Sequence, residues 1–182
     1  MKKSLTTQLV TMAFLIALEI ILTRFLSINL QYVRIGFGFV PVAVAAIMYG
    51  PLWAGVGYAI GDVLGMMIFP TGPYFPGFTL TAFIIGVIYG LFLHNRKINI
   101  PNVTAAVVTV NVSCTLLLNT YWLTLLYGNA TFLALLPARI AEACILCAVE
   151  VPIIIALWKN ALVRIPNVRM QVGKVSLEKG LR

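Results

Sequence analysis

Long apolar runs, broken by short clusters of glycine, proline and charge, divide this chain into six segments that read as helices: residues 6 to 26, 35 to 49, 51 to 69, 77 to 94, 102 to 127 and 132 to 159. Most approach the roughly twenty apolar residues that carry a helix across the hydrocarbon of a bilayer, and several fall short of it. Only Tyr49, Gly50 and Pro51 separate the second run from the third, a tight turn that makes the two an antiparallel hairpin. A basic loop, His94 to Pro101, joins the fourth and fifth. The first run lacks a small-residue cleavage site, which marks it as a retained helix and not a signal peptide. The expected organisation is a single six-helix transmembrane domain over 1–164 and a basic cytoplasmic tail over 165–182.

Composition sharpens this into a class. The chain has 182 residues, 61% hydrophobic and 10% charged, with a mean hydropathy of +1.00, which is the composition of an all-α integral membrane protein. A net charge of +8 would suggest nucleic acid in a soluble protein, but here the basic residues flank the spans. Lys2, Lys3, Arg96, Lys97, Lys159, Arg164, Arg169, Lys174, Lys179 and Arg182 all fall on one face, the positive-inside pattern that places both termini in the cytoplasm. Arg24, Arg34 and Arg139 are the exceptions, at the opposite ends of their spans. An arginine at mid-bilayer costs about 3 kcal/mol on insertion scales, so three near one outer surface suggest a compensating task such as holding an anion.

The helical faces carry further signals. Ala13 and Ala17 form an AxxxA on the first helix, a stripe that lets another helix approach closely. Gly57, Gly61 and Gly65 form a GxxxG ladder on the third, and Gly86 and Gly90 repeat the spacing on the fourth; mutual packing of these two helices is the expectation. Asp62 then projects off that seam. It has three readings: a structural mate for an arginine, a proton relay, or an acceptor for amine donors of a substrate. On the fifth helix Asn111, Thr115, Asn119 and Trp122 lie within an arc of about 80°. That stripe must face the bundle interior, as interhelical glue or as a seat for a flat heterocycle with polar edges. On the sixth, Arg139 stands one turn before Glu142, so the two can neutralise each other, and Glu19 similarly follows the line to Arg24.

The segment FPTGPYFPGFTL after the third helix, with prolines at 70, 73 and 76, excludes a regular helix and reads either as a preformed lid or as a rigid interfacial turn. Cys114, Cys144 and Cys147 lie inside spans, and the CxxC has no histidine or second pair beside it, so no metal site is expected. No Walker A loop, nucleotide fingerprint or HExxH is present, and the single histidine, His94, sits at a helix end.

From Arg34 onward the residues RIGFGFVPVAVAAIMYGP, then GDVLGMMIFPTGPYFPGFTLTAF, then IYGLFL resemble the folate-family substrate-binding subunit, or S component, of energy-coupling factor (ECF) vitamin transporters. The match is close from Arg34 to Leu93 and looser through Asn119, Thr120, Trp122 and Arg139. The resemblance implies a multi-pass protein of the bacterial plasma membrane that binds its vitamin in an outward pocket under the loops. It implies a transmembrane coupling subunit (T component) meeting Ala13 and Ala17, two cytoplasmic ATPases that use ATP and Mg, and toppling within the lipid to deliver substrate. No cofactor or catalytic residue is implied for this chain. Mapped onto folate, Arg24, Arg34 and Arg139 would meet carboxylates or the pterin carbonyl. Asp62 and Asn119 would read the pterin edge, and Gly72, Tyr74, Phe75 and Trp122 would enclose the rings. Rivals are an S component for thiamine, riboflavin, biotin or a pterin precursor, and a small secondary transporter using Asp62 as its proton site. A lipid-acting membrane enzyme has little support, since no nucleophile and base pair is visible.

Overall fold

The computed structural model describes residues 5–29, 34–70, 72–96, 98–127 and 131–160. The expected tail lies outside the described residues. Helix α1 (Leu5–Arg24) is followed by a two-residue antiparallel ladder of β1 (Ile28–Asn29) and β2 (Arg34–Ile35). Then come α2 (Phe39–Tyr49), α3 (Pro51–Ile68) and α4 (Pro76–Leu93). Helix α5 (Ile100–Val110) runs without a break through a π-helical segment, Asn111–Leu118, into α6 (Asn119–Tyr127); α7 (Thr131–Asn160) completes the bundle. Apart from the short ladder, the described architecture is helical, as the apolar periodicity predicts.

Five of these rods are long and apolar enough to cross a membrane. Helix α2 is the exception: its 11 residues rise about 16 Å against a hydrocarbon thickness of about 30 Å. The expected span 35 to 49 therefore starts too early. Arg34 and Ile35 pair with Asn29 and Ile28 instead, and the helix begins only after Gly36 and Gly38, residues that give up the most backbone freedom in a helix.

Lipid-facing side chains such as Phe14, Leu52, Val56, Ile60, Met67 and Leu91 stay exposed, because hydrocarbon solvates them as well as a core would. Helix association then depends on close approach, and small residues provide it. The glycine ladder of α3 does so, but for a different partner from the one its spacing suggests. A Cβ at Gly57 would lie 2.5 Å from Met12 Cε, one at Gly61 would strike the Glu19 carboxylate, and one at Gly65 would lie 3.0 Å from the Arg24 guanidinium. The ladder therefore receives α1. Helix α4 packs on another face of α3: a Cβ at Gly86 would lie 2.5 Å from the Ala54 carbonyl oxygen, one at Gly90 would strike Pro51, and Gly55 receives Val87 and Phe83.

The turn between α2 and α3 depends on Gly50, whose φ of +89° is one that side-chain-bearing residues rarely adopt. The His94 ring packs 3.3 Å from where a Cβ would stand, and its Nδ1 lies 3.1 Å from the Ile47 carbonyl. The end of α4 thus braces the hairpin turn. Deeper in the bundle, Tyr89 donates to Glu150 at 2.8 Å and Asn111 Nδ2 approaches the same oxygen at 3.4 Å. Of the two readings of Asn111, interhelical glue is the observed one, joining α4, α7 and the head of the π segment. Cys114 is buried, Cys147 half-buried and Cys144 exposed, all as free thiols.

Candidate ligand-binding site

The polar groups singled out by sequence gather at the end of the bundle where the proline-rich loop enters α4. That helix starts cleanly because Pro76 occupies its first turn, where a missing N–H costs nothing. Its first two turns then serve two neighbours. Thr79 and Thr81 stand two residues apart, about 200° around the axis, so one turns to α3 and the other to α6.

On the α3 side, Thr79 Oγ1 donates to Asp62 Oδ2 at 2.8 Å, and the Tyr74 hydroxyl lies 3.2 Å from the same Thr79 oxygen. Asp62 is thus engaged by α4, and the loop reaches it through Thr79. One turn of α3 further toward the loop, the Arg24 guanidinium lies against Gly65, turned in on the bundle and not out to headgroups. Glu19, a turn and a half earlier on α1, accepts from Thr23 at 2.8 Å.

On the α6 side, Trp122 Nε1 donates to Thr81 Oγ1 at 3.0 Å, and Thr81 donates onward to the Gly77 carbonyl at 3.0 Å. The polar edge of Trp122 is therefore occupied by α4, leaving its ring faces for other contacts. One of them meets Phe75, with centroids 5.5 Å apart; Phe78 and Tyr121 extend the cluster at 6.1 Å from Phe75 and 5.2 Å from Trp122. Gly77 makes this possible, since a Cβ there would lie 2.5 Å from both Phe75 Cε1 and Trp122 Cδ2.

On α6 and α7 the satisfaction is incomplete. Arg139 Nη1 holds Glu142 at 2.7 Å, the pairing that the one-turn spacing predicts. Arg139 Nε, Asn119 Oδ1 and Thr120 Oγ1 are buried without a hydrogen-bond partner among the described residues. Asn119 stands eight residues from the end of α6 and Arg139 eight from the start of α7, so the three groups share a depth of about 12 Å below that end. Buried amide and hydroxyl groups are seldom left so, and a polar ligand at this level would complete them.

Gly72 is exposed with nothing within 4 Å of a Cβ, and the side chain of Arg34 lies outside the described residues, although its backbone pairs with Asn29. Thr79 and Thr81 carry the site's hydrogen bonds without having been expected there. A threonine in an apolar helix can satisfy itself on a carbonyl one turn back, so sequence does not distinguish those two from Thr109, which does that.

The chain matches, over residues 3–159, the family described as ECF-type riboflavin transporter, S component. It belongs to the ECF S components. Relatives of this S component include the folate transporter FolT of Clostridium novyi (strain NT), 48% identical over 151 residues covering 83% of this chain and 87% of that protein. The folate transporter FolT of Leuconostoc mesenteroides subsp. mesenteroides is 34% identical over 163 residues, 87% of this chain and 88% of the other. Among solved structures, the crystal structure of FolT bound with folic acid aligns with a TM-score of 0.79 at 35% identity, covering 84% of this S component and 92% of that chain. Family membership and the apolar spans place the S component in the bacterial plasma membrane as a multi-pass transport subunit.

Proposed function

We propose that this S component is the folate-binding subunit of an ATP-driven ECF vitamin uptake transporter. One observation carries the reading: at one end of the bundle α4 bonds the Asp62 carboxylate through Thr79 and Trp122, the partner of Phe75, through Thr81, and Asn119 and Arg139 carry unsatisfied buried groups, in a fold shared with a folic acid complex. Folate needs each of these. Its pterin is flat and has amine donors and a carbonyl along its edge, and its tail carries two carboxylates. Ring faces of Phe75, Trp122 and Tyr74 would stack on the pterin, Asp62 and Asn119 would pair with its edge, and Arg24, Arg34 and Arg139 would meet carbonyl or carboxylate oxygens. Gly72 leaves open space over the entrance.

Energy would come from elsewhere. The partners in this reading are a transmembrane coupling subunit and two cytoplasmic ATPases, which use ATP and Mg. The exposed Ala13 and Ala17 of α1, on the side away from α3, suit close approach of the coupling subunit. The S component would then topple in the lipid to carry the pocket from the outer to the cytoplasmic side. Uptake that persists when the proton gradient is collapsed at constant ATP supports this; uptake that stops returns Asp62 to the role of a proton site.

A second substrate is favoured by the family description itself, which names riboflavin. Riboflavin is also planar but lacks the dicarboxylate. Titrating the purified subunit with each vitamin separates the two. Folate is expected to bind and riboflavin not to compete, with Arg34→Ala, Asn119→Ala and Trp122→Ala each weakening folate. Unchanged affinity in all three overturns the pocket.

A further inference from the structure

Resting on the folate reading, we propose that Thr79 is the positioning residue of the site, the joint through which the Asp62 carboxylate is tied to Tyr74 of the proline-rich loop. The direction of the hydrogen bonds decides this. A threonine hydroxyl has one proton and two lone pairs. Thr79 gives its proton to Asp62 Oδ2 at 2.8 Å, so its contact with Tyr74 at 3.2 Å is made through a lone pair, and the phenol must be the donor. The chain therefore runs one way, from Tyr74 to Thr79 to Asp62, with the negative end inside and the exposed end on the loop.

Two consequences follow. Asp62 has one oxygen held by protein, which fixes its rotamer and directs its remaining lone pairs to the ligand. Tyr74, half-exposed at 51%, is held down by a hydroxyl whose acceptor strength is raised by the charge behind it. Every bond in the chain passes through a single atom, Thr79 Oγ1. Removing that atom releases the carboxylate and the loop together, whereas removing the phenol releases only the loop.

The test is a double-mutant cycle on folate dissociation from the purified subunit. Thr79→Val keeps the shape and removes the hydroxyl; a charge-assisted bond of ordinary strength predicts a dissociation rate raised about 10-fold or more. Thr79→Ser restores the hydroxyl and is expected within about 2-fold of wild type. Tyr74→Phe accelerates release in the wild-type background and adds nothing in Thr79→Val, since the joint is already gone. A Thr79→Val rate equal to wild type, a Ser variant no better than Val, or additive effects with Tyr74→Phe overturns the joint. Amide exchange of residues 69–80 in ligand-free protein gives an independent readout, expected to be faster in Thr79→Val and restored in Thr79→Ser. If wild type fails to bind folate while this exchange pattern holds, the folate reading falls and the joint stands; if exchange does not respond, the joint falls whatever the ligand.

Discussion

Adding one methyl group at Gly77 should weaken ligand binding more than most changes to a ligand-facing side chain. A Cβ there would sit 2.5 Å from Phe75 Cε1 and from Trp122 Cδ2, against an ordinary carbon contact of about 3.5–4.0 Å. Both rings must retreat by roughly 1 Å. Phe75 can swing, but Trp122 is pinned by its bond to Thr81, so relief for the indole means breaking that bond. Overpacking costs about 1–3 kcal/mol and the lost hydrogen bond about 1 kcal/mol, partly offset by up to ~1 kcal/mol from alanine's better helix propensity. A net cost of about 1–3 kcal/mol, falling on the wall of the site, corresponds to folate affinity reduced roughly 5- to 150-fold. Calorimetric titration of the purified subunit measures it, with thermal unfolding in detergent as the control for global damage. Thr81→Val removes the acceptor without the clash and should cost about 1 kcal/mol, near 5-fold. If Gly77→Ala binds folate within 2-fold of wild type and is equally stable, the Phe75–Trp122 pair is no part of the ligand site.

Two further outcomes test the packing. Glu142→Leu removes the carboxylate that Arg139 holds at 2.7 Å and should destabilise by about 3–5 kcal/mol, whereas the double variant with Arg139→Leu should recover most of that, because a buried pair replaced as a unit costs little; equal melting temperatures for the single and double variants would contradict it. Gly61→Leu should separate α1 from α3 and sharply lower the yield of folded protein, while Gly72→Ala, with open space around it, should change stability by less than ~0.5 kcal/mol.

What could be read from sequence followed the strength of each physical constraint. Spans are legible because lipid demands about twenty apolar residues and leaves no alternative backbone. The Arg139–Glu142 pair is legible because helical geometry alone brings residues three apart together. The glycine ladder on α3 shows that some helix comes close without showing which; α1 took Gly57, Gly61 and Gly65, and α4 came in beside Gly55, which lies off the ladder. Helix α2 was overextended because the apolar pattern continues through residues that β pairing claims. The site's polar residues were visible one at a time, yet their grouping depended on Thr79 and Thr81, whose hydroxyls gave no signal in an apolar run.

The π-helical segment was likewise invisible, although the structure supplies a cause. Asn111 and Ser113 bond the carbonyls of Val107 and Thr109, four residues back, at 3.1 and 2.5 Å, and such side chains loosen the α-helical ladder. At its far end the Asn119 N–H reaches Cys114 O, five residues back. Each such ring encloses one more residue than an α-helical ring. The segment is therefore a store of surplus chain: losing one residue between Asn111 and Leu118 can be absorbed by tightening to an ordinary helix, with the polar face above and the Glu150 anchor below kept in phase. A homologue one residue shorter there would keep Trp122 facing α4, while the same deletion between Asn119 and Trp122 would turn Trp122 by about 100° relative to Asn119.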